Sequence, residues 1–425
     1  MNSSRRQFLT TYASLAAGAT FGSSLFLSGC RTKKTKKRSL KLGVTGWSAQ
    51  GYRKVIEELG FTEQTGIEVE VIVRPNATNE LLTQMASSVL AGTSPYDLID
   101  LEDSAAMSLS RSRWLMGLDN LIDQSVWDDF TPQLMEMTKV WDQYEGQTFR
   151  VHHNFEMCYW WYRKDWFEQK GIALPKTWDE VKEMGEIFTD KNRGIWASEE
   201  ALMKNSYLSV YLEWLGCQAG SSPYELDDNF RDCLKYAHDL IFKHRVMNPA
   251  CTQKNYDQQN NDYIADRVAF MRQWPFFYDV CKQHKDWYSD EKVACGLPPV
   301  GPGGKTVSTF AAGWGWAIPN TSLMKEEACQ LLKFFINTEN ASKMPQYSDW
   351  FLNARKSVLA STKGSKLAEY LKMYLDAGVV GTRPFHQSRY TEALAKVENV
   401  ASAYLTNQIN LDQAMASRKL KLERL

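Results

Sequence analysis

The chain has 425 residues with 50 basic and 50 acidic side chains, but residues 1–38 hold eight Lys/Arg and no Asp/Glu, which leaves 42 basic against 50 acidic in the remainder, a formal −8. A body that acidic argues against a nucleic-acid partner. No segment after residue 30 reaches eighteen consecutive apolar residues, so none is expected to cross a bilayer, and the length suits two domains or one large bilobed core.

Ser4-Arg5-Arg6-Gln7-Phe8-Leu9 opens a Gly-, Ser- and Thr-rich apolar run that ends in Leu27-Ser28-Gly29-Cys30. A run with those flanks reads as an export signal and not as a membrane helix. The arginine pair resembles the twin-arginine (Tat) signal, and Leu-Ser-Gly-Cys resembles the bacterial lipobox. That resemblance implies removal of residues 1–29, acylation of Cys30, and a lipoprotein on the periplasmic or cell-surface side, anchored to a membrane by lipid. Residues 30–38 carry Arg31, Lys33, Lys34, Lys36, Lys37 and Arg38, and they read as a basic tether able to touch anionic headgroups. An ordinary cleaved signal with an incidental cysteine is the plainer alternative.

From Leu40 the pattern alternates strand and helix. Leu40–Thr45 and Tyr96–Leu101 are apolar strands, Ile67–Val73 is a half-buried one, and Tyr52–Phe61 has helical periodicity. Thr78 or Asn79 is placed to cap a helix that presents Leu82, Met85, Ala86, Val89 and Leu90 and stops at Gly92. Repeated β-α-β units imply a mostly parallel sheet, with ligand beyond its carboxyl ends at Gly46-Trp47-Ser48 and Glu102-Asp103-Ser104. A second α/β unit begins with the extended segment Arg150–Asp165 and a helix opened by Thr177-Trp178-Asp179-Glu180 at capping-box spacing. Residues 200–290 are largely helical around Val268-Ala269-Phe270-Met271; a Gly301–Lys305 loop, a strand near Gly313–Pro319 and a helical remainder follow.

Seven cysteines besides Cys30, irregularly spaced and without Cys-x-x-Cys, signal neither a zinc site nor a disulfide scaffold. His152 and His153 point to opposite faces of a strand and cannot easily share an ion, so neither metal nor cofactor is expected. Gly304-Lys305-Thr306 lacks the first glycine of a phosphate loop and precedes a strand; it reads as a turn. Fifteen tryptophans suggest a core or a binding wall.

Several segments together resemble the extracellular solute-binding proteins of ABC importers, in the sugar-binding group that includes maltose-binding protein. They are Phe61-Thr62-Glu63-Gln64-Thr65-Gly66-Ile67, Ala91-Gly92-Thr93-Ser94-Pro95-Tyr96-Asp97, Tyr162-Arg163-Lys164-Asp165-Trp166-Phe167, Pro175-Lys176-Thr177-Trp178-Asp179-Glu180 and Gly313-Trp314-Gly315-Trp316-Ala317-Ile318. The resemblance implies a periplasmic-binding-protein fold with two α/β lobes, a hinge and an interlobe cleft. Motif positions put lobe one at 39–151 with 293–336 and lobe two at 152–292 with 337–425.

By the same resemblance the ligand positions are Gln50 after the first strand, Asp103 or Ser104 after the third, Glu156 before Tyr162, and Trp274 and Tyr390 as stacking aromatics. Trp47, Trp314, Trp316 and Trp350 are further wall candidates, while Trp160, Trp161 and Trp166 read as packing. Aromatic planes with carboxylates and amides around a rim suit pyranose rings. The implied function is capture of a sugar, an oligosaccharide or glycoside, for delivery by a monomer to permease subunits served by a separate ATPase. A polyol, a glycerol-phosphate-type or other charged solute is the alternative, for which Arg272 and Arg383 lie close to the inferred wall. A secreted carbohydrate-active enzyme is the rival class, although no carboxylate pair stands out by motif.

Overall fold

The computed structural model describes residues 39–204, 207–225, 228–378, 381–382 and 390–423. Cys30, the export signal and the tether lie outside them, as does Arg383. Among the described residues no helix is long and apolar enough to cross a membrane.

The first sheet grows from β1 (Leu40–Val44), which pairs in parallel with β2 (Val69–Val73) and with β3 (Leu98–Glu102). Between β1 and β2 lie the helices Ala49–Glu58 and Phe61–Thr65. The helix Thr78–Ala91 connects β2 to β3, and Gly92 ends it at φ 64°, a left-handed conformation that glycine adopts without a Cβ clash. Its N-cap is Ala77, with no side-chain cap, and not Thr78 or Asn79. After a short hairpin, β4 (Gln143–Tyr144) with β5 (Gln147–Thr148), β6 (Val151–Met157) and β7 (Tyr159–Arg163) follow almost without a break. Yet β6 belongs to the first sheet and β7 to a second.

That second sheet runs β10 (Val293–Gly296), β7, β9 (Val268–Gln273), β8 (Trp196–Ser198). The chain returns to the first sheet through β11 (Phe310–Ala317), an antiparallel partner of both β3 and β6, and β12 (Gly381–Thr382) adds to its start. The two crossings are bonded to each other: the Cys158 amide donates to the Phe310 carbonyl at 2.9 Å, and the Thr309 hydroxyl donates to the Cys158 carbonyl at 2.6 Å.

The sheet membership shifts the expected lobe edges. β6 stays zipped to β11 from Val151 to Met157, so the crossover falls at Cys158 and not before His152. Val293–Gly296 pairs with β7 and therefore sits in the second sheet. Residues 338–361 pack with the first, where Phe351 lies edge-on to Tyr52 at 4.9 Å and Arg355 donates to Asp129 at 2.7 Å. The helices Tyr390–Leu405 and Leu411–Glu423 pack with the second sheet's core, among Trp160, Phe270 and Leu215. As expected from its spacing, Thr177 accepts the Glu180 amide and opens the helix Trp178–Phe188.

Candidate ligand site

Parallel pairing brings the carboxyl ends of β1, β2 and β3 to one edge. Trp47 stands just past β1 and is 57% exposed. Its ring meets Trp314 of β11 at 6.0 Å and Trp350 at 6.4 Å, and those two lie 5.2 Å apart, every pair edge-on. Trp350 is held by its indole N–H on Asp100 at 3.3 Å, and its carbonyl accepts from Asn154 at 3.0 Å. Past β2, the Arg74 guanidinium sits 5.4 Å from the Trp314 ring. It is fixed by bonds to the carbonyls of Asp100 at 2.8 Å and Pro75 at 2.7 Å. Applying the strand-end rule to β2 as well as β1 and β3 would have found Arg74 in the sequence.

A second aromatic group forms where β9 ends. Trp274 packs edge-on to Phe310 at 5.8 Å, and its indole N–H donates to the Tyr256 hydroxyl at 3.1 Å. Tyr390 donates its hydroxyl to Glu213 at 2.7 Å, beside Tyr224 on the same oxygen at 2.6 Å, and its ring meets Trp141 at 5.9 Å. Tyr256, Tyr224, Glu213 and Trp141 carry no motif in the sequence and become visible only through this packing.

Strand β11 joins the two groups. Phe310, Ala312 and Trp314 alternate onto one face, and the antiparallel partner of Ala312 is Glu156. A rise of about 3.3 Å per residue separates Phe310 from Trp314 by about 13 Å, with the half-buried Glu156 carboxyl between them. Burial pushes the Glu156 acid up to about 8, helped by the Glu102 charge and by Asp103 and Asp100. Glu156 is therefore mostly protonated at neutral pH and can donate as well as accept.

Other predicted positions differ. Gln50 is exposed at the start of the helix Ala49–Glu58, and Ser104 is half-buried beside Glu102. Asp103 is fully buried and takes no part in lining a cleft: one carboxylate oxygen accepts from Arg150 at 2.5 Å and the other from the Gly313 amide at 2.9 Å. Arg150 also donates to Asp142 at 2.5 Å and to the Leu101 carbonyl at 2.8 Å, and His152 bonds Asp142 through Nδ1. Burial opposes protonation of His152, but Asp142 and the carboxylate bonds outweigh it and raise its pKa. Two carboxylates paired with Arg150 and hydrogen-bonded by His152 are what makes so dry a cluster tenable. Trp316 is also core, 2% exposed, stacked on His153 at 4.3 Å and on Phe335 at 4.9 Å, because it lies deeper along β11 than Trp314. Arg272 is fully buried, and Glu200 and the Tyr256 hydroxyl take up only part of its guanidinium. His152 and His153 engage different carboxylates, Asp142 and Asp100.

These protonations set a pH dependence. Glu156 and His152 both have folded pKa values above their ordinary ones, so their contributions are fullest at acid pH and are lost as pH rises through the folded values. Ligand-free protein should melt progressively lower from pH 5 to pH 9. Glu156→Gln, which cannot ionise, should melt higher than the parent at pH 9 and near it at pH 5, as followed by scanning calorimetry.

Residues 45–342 match the family model of bacterial extracellular solute-binding proteins, and the chain belongs to that family. It is 24% identical over 269 residues to a protein of Deinococcus radiodurans described as a probable ABC transporter-binding protein. That alignment spans 57% of each chain, so it covers just over half of the relative's length. In fold, the chain is similar to maltose-bound MalE3 of T. maritima, with a TM-score of 0.76 and 23% identity over 91% of this chain and 99% of that one. It is likewise similar to a ribitol-bound ABC transporter solute-binding protein of Agrobacterium radiobacter, with a TM-score of 0.74 and 18% identity over 91% and 98%. The fold is thus the two-lobe periplasmic-binding-protein fold.

Proposed function

We propose that this chain captures a neutral, hydroxyl-rich solute, a sugar before a polyol, between the Trp47/Trp314/Trp350 group and the Trp274/Phe310 group. The observation that carries the reading is the β11 face, where Phe310, Glu156 and Trp314 set two aromatic groups about 13 Å apart around one carboxyl. Apolar C–H faces would lie on Trp47, Trp314 and Trp274, with the fully buried Phe310 backing the Trp274 ring, and hydroxyls would meet Glu156, whose protonated form suits a neutral partner. Arg272, fully buried and paired with Glu200, takes support from an anionic ligand. In this reading the protein acts as a monomer, meets an ABC permease on the outer face of a membrane, and uses no cofactor.

A thermal-shift screen over neutral sugars, polyols, sugar phosphates and polyamines tests the ligand class. With a confirmed hit, Trp47→Ala should weaken calorimetric affinity at least about tenfold, on the scale of an aromatic hot spot. Its ligand-free melting should barely change, since the ring is mostly in water. Stabilisation by sugar phosphates alone would sink the neutral reading. The rival enzyme class would draw on the raised Glu156 acid. Turnover of aryl glycosides by pure protein would establish it, and a thermal shift without turnover would set it aside.

We also infer lipid attachment at Cys30 from Leu27-Ser28-Gly29-Cys30 and the basic tether. Wild-type protein from its native host should partition into detergent, and Cys30→Ala should remain uncleaved or be released. Equal partition of both into the aqueous phase refutes the anchor.

A further inference from the structure

Beside the two aromatic groups, a charged contact joins elements that belong to different sheets. The helix Phe277–Gln283 starts just after Trp274 and packs on the second sheet: Phe277 lies 5.4 Å from Trp161 of β7 and 5.1 Å from Tyr263, and Tyr278 stacks on Trp161 at 6.5 Å. The turn Asp349–Phe351 belongs to the first sheet, through the Asn154 bond to the Trp350 carbonyl, the Trp350 bond to Asp100 and the Phe351 contact with Tyr52. Lys282 from the helix reaches across to Asp349 at 2.9 Å while holding Asp279 of its own helix at 2.6 Å. The Lys282 ammonium also lies 4.6 Å over the Tyr278 ring.

We propose that Lys282, Asp279 and Asp349 form an electrostatic clasp that holds the second sheet's helix to the first sheet's turn and biases the cleft toward closure. This inference rests on the two-lobe fold and goes beyond the ligand reading. Two carboxylates flank one ammonium, so removing the lysine converts an attraction into a repulsion between Asp279 and Asp349. The closeness of the two acids is registered in Asp279, whose pKa is raised by burial and then by Asp349, against the pull of Lys282. All three side chains are partly exposed, and partly exposed pairs are each weak and screened by salt. A clasp of this kind therefore tunes an open–closed balance and does not lock it. Its position gives it leverage, since Asp349 immediately precedes Trp350 of one aromatic group and Lys282 sits on the helix that follows Trp274 of the other.

The test uses ligand-free, lipid-free mature protein, so it needs no knowledge of the solute. Spin labels on Leu90→Cys, in the helix after β2, and Ile187→Cys, in the helix Trp178–Phe188, occupy exposed sites on opposite sheets. Pulsed dipolar spectroscopy at low salt should show Lys282→Met moving the distance distribution to a longer, broader form. Raising sodium chloride to about 0.5 M should move wild type the same way and draw Lys282→Met partly back, since salt screens the attraction in the one and the Asp279–Asp349 repulsion in the other. The exchange Lys282→Glu with Asp349→Lys should restore the wild-type distribution. Identical distributions for wild type and Lys282→Met overturn the clasp, whatever the solute screen finds. A shift that the exchange fails to reverse also overturns it, because the lysine would then be acting through packing.

Discussion

Trp274→Ala should lower the unfolding free energy of ligand-free protein by about 3–5 kcal/mol, the usual cost of truncating a large buried aromatic. The resemblance alone suggests the opposite, a ligand-facing ring whose removal spares the apo protein. In the structure the ring is only 8% exposed, packs on Phe310 and satisfies its N–H on Tyr256. Truncation would remove that packing, leave a cavity beside Phe310 and strip the Tyr256 hydroxyl of a donor. Trp274→Phe should recover most of the loss, since it keeps the aromatic fill and gives up one hydrogen bond worth about 1 kcal/mol. Denaturant titration of both variants without ligand is the measurement. A Trp274→Ala protein as stable as wild type would mean that the ring is held for ligand alone.

Arg150→Met should be at least as costly, about 3–5 kcal/mol, because it removes one member of a buried charged group and leaves its partners behind. Asp103 and Asp142 would then share the dry site with only His152 for compensation. The damage should extend to the ligand side, since Asp103 also holds the Gly313 amide next to Trp314. Pairing the change with Asp142→Leu should give a double variant less destabilised than the sum of the two single changes, because the second substitution removes a carboxylate that the first had left uncompensated. Urea melts of the two single variants and the double one decide this. Additive losses would show that Arg150 acts through its hydrophobic stem and not through charge.

Much of the fold follows from local chemistry. Alternation and apolar runs mark β1, β2 and β3, a left-handed position needs Gly92, and Thr177 with Glu180 opens a helix, each readable from a few neighbouring residues. Parallel pairing of β1 with β2 and β3 also follows, because consecutive β-α-β units have little other choice. The strand-end rule likewise brings Trp47 to an exposed edge.

What the sequence could not settle depends on contacts between distant segments. Val151–Met157 and Tyr159–Arg163 look like one extended run, and only long-range pairing with β11 on one side and β9 and β10 on the other divides them between two sheets at Cys158. The same distance effect separates Trp314 from Trp316, two residues apart on one strand. One reaches the edge beside Trp47, and the other is covered by Phe335 and His153. Asp103 and Glu102 differ by one position, yet the start of a helix turns Asp103 inward to Arg150 and leaves Glu102 near Glu156. Periodicity determines which residues can form an element and which face they share. Which of those faces meets solvent, ligand or another buried charge is decided by tertiary packing, since burial and pairing are properties of neighbours that the chain brings together only after it folds.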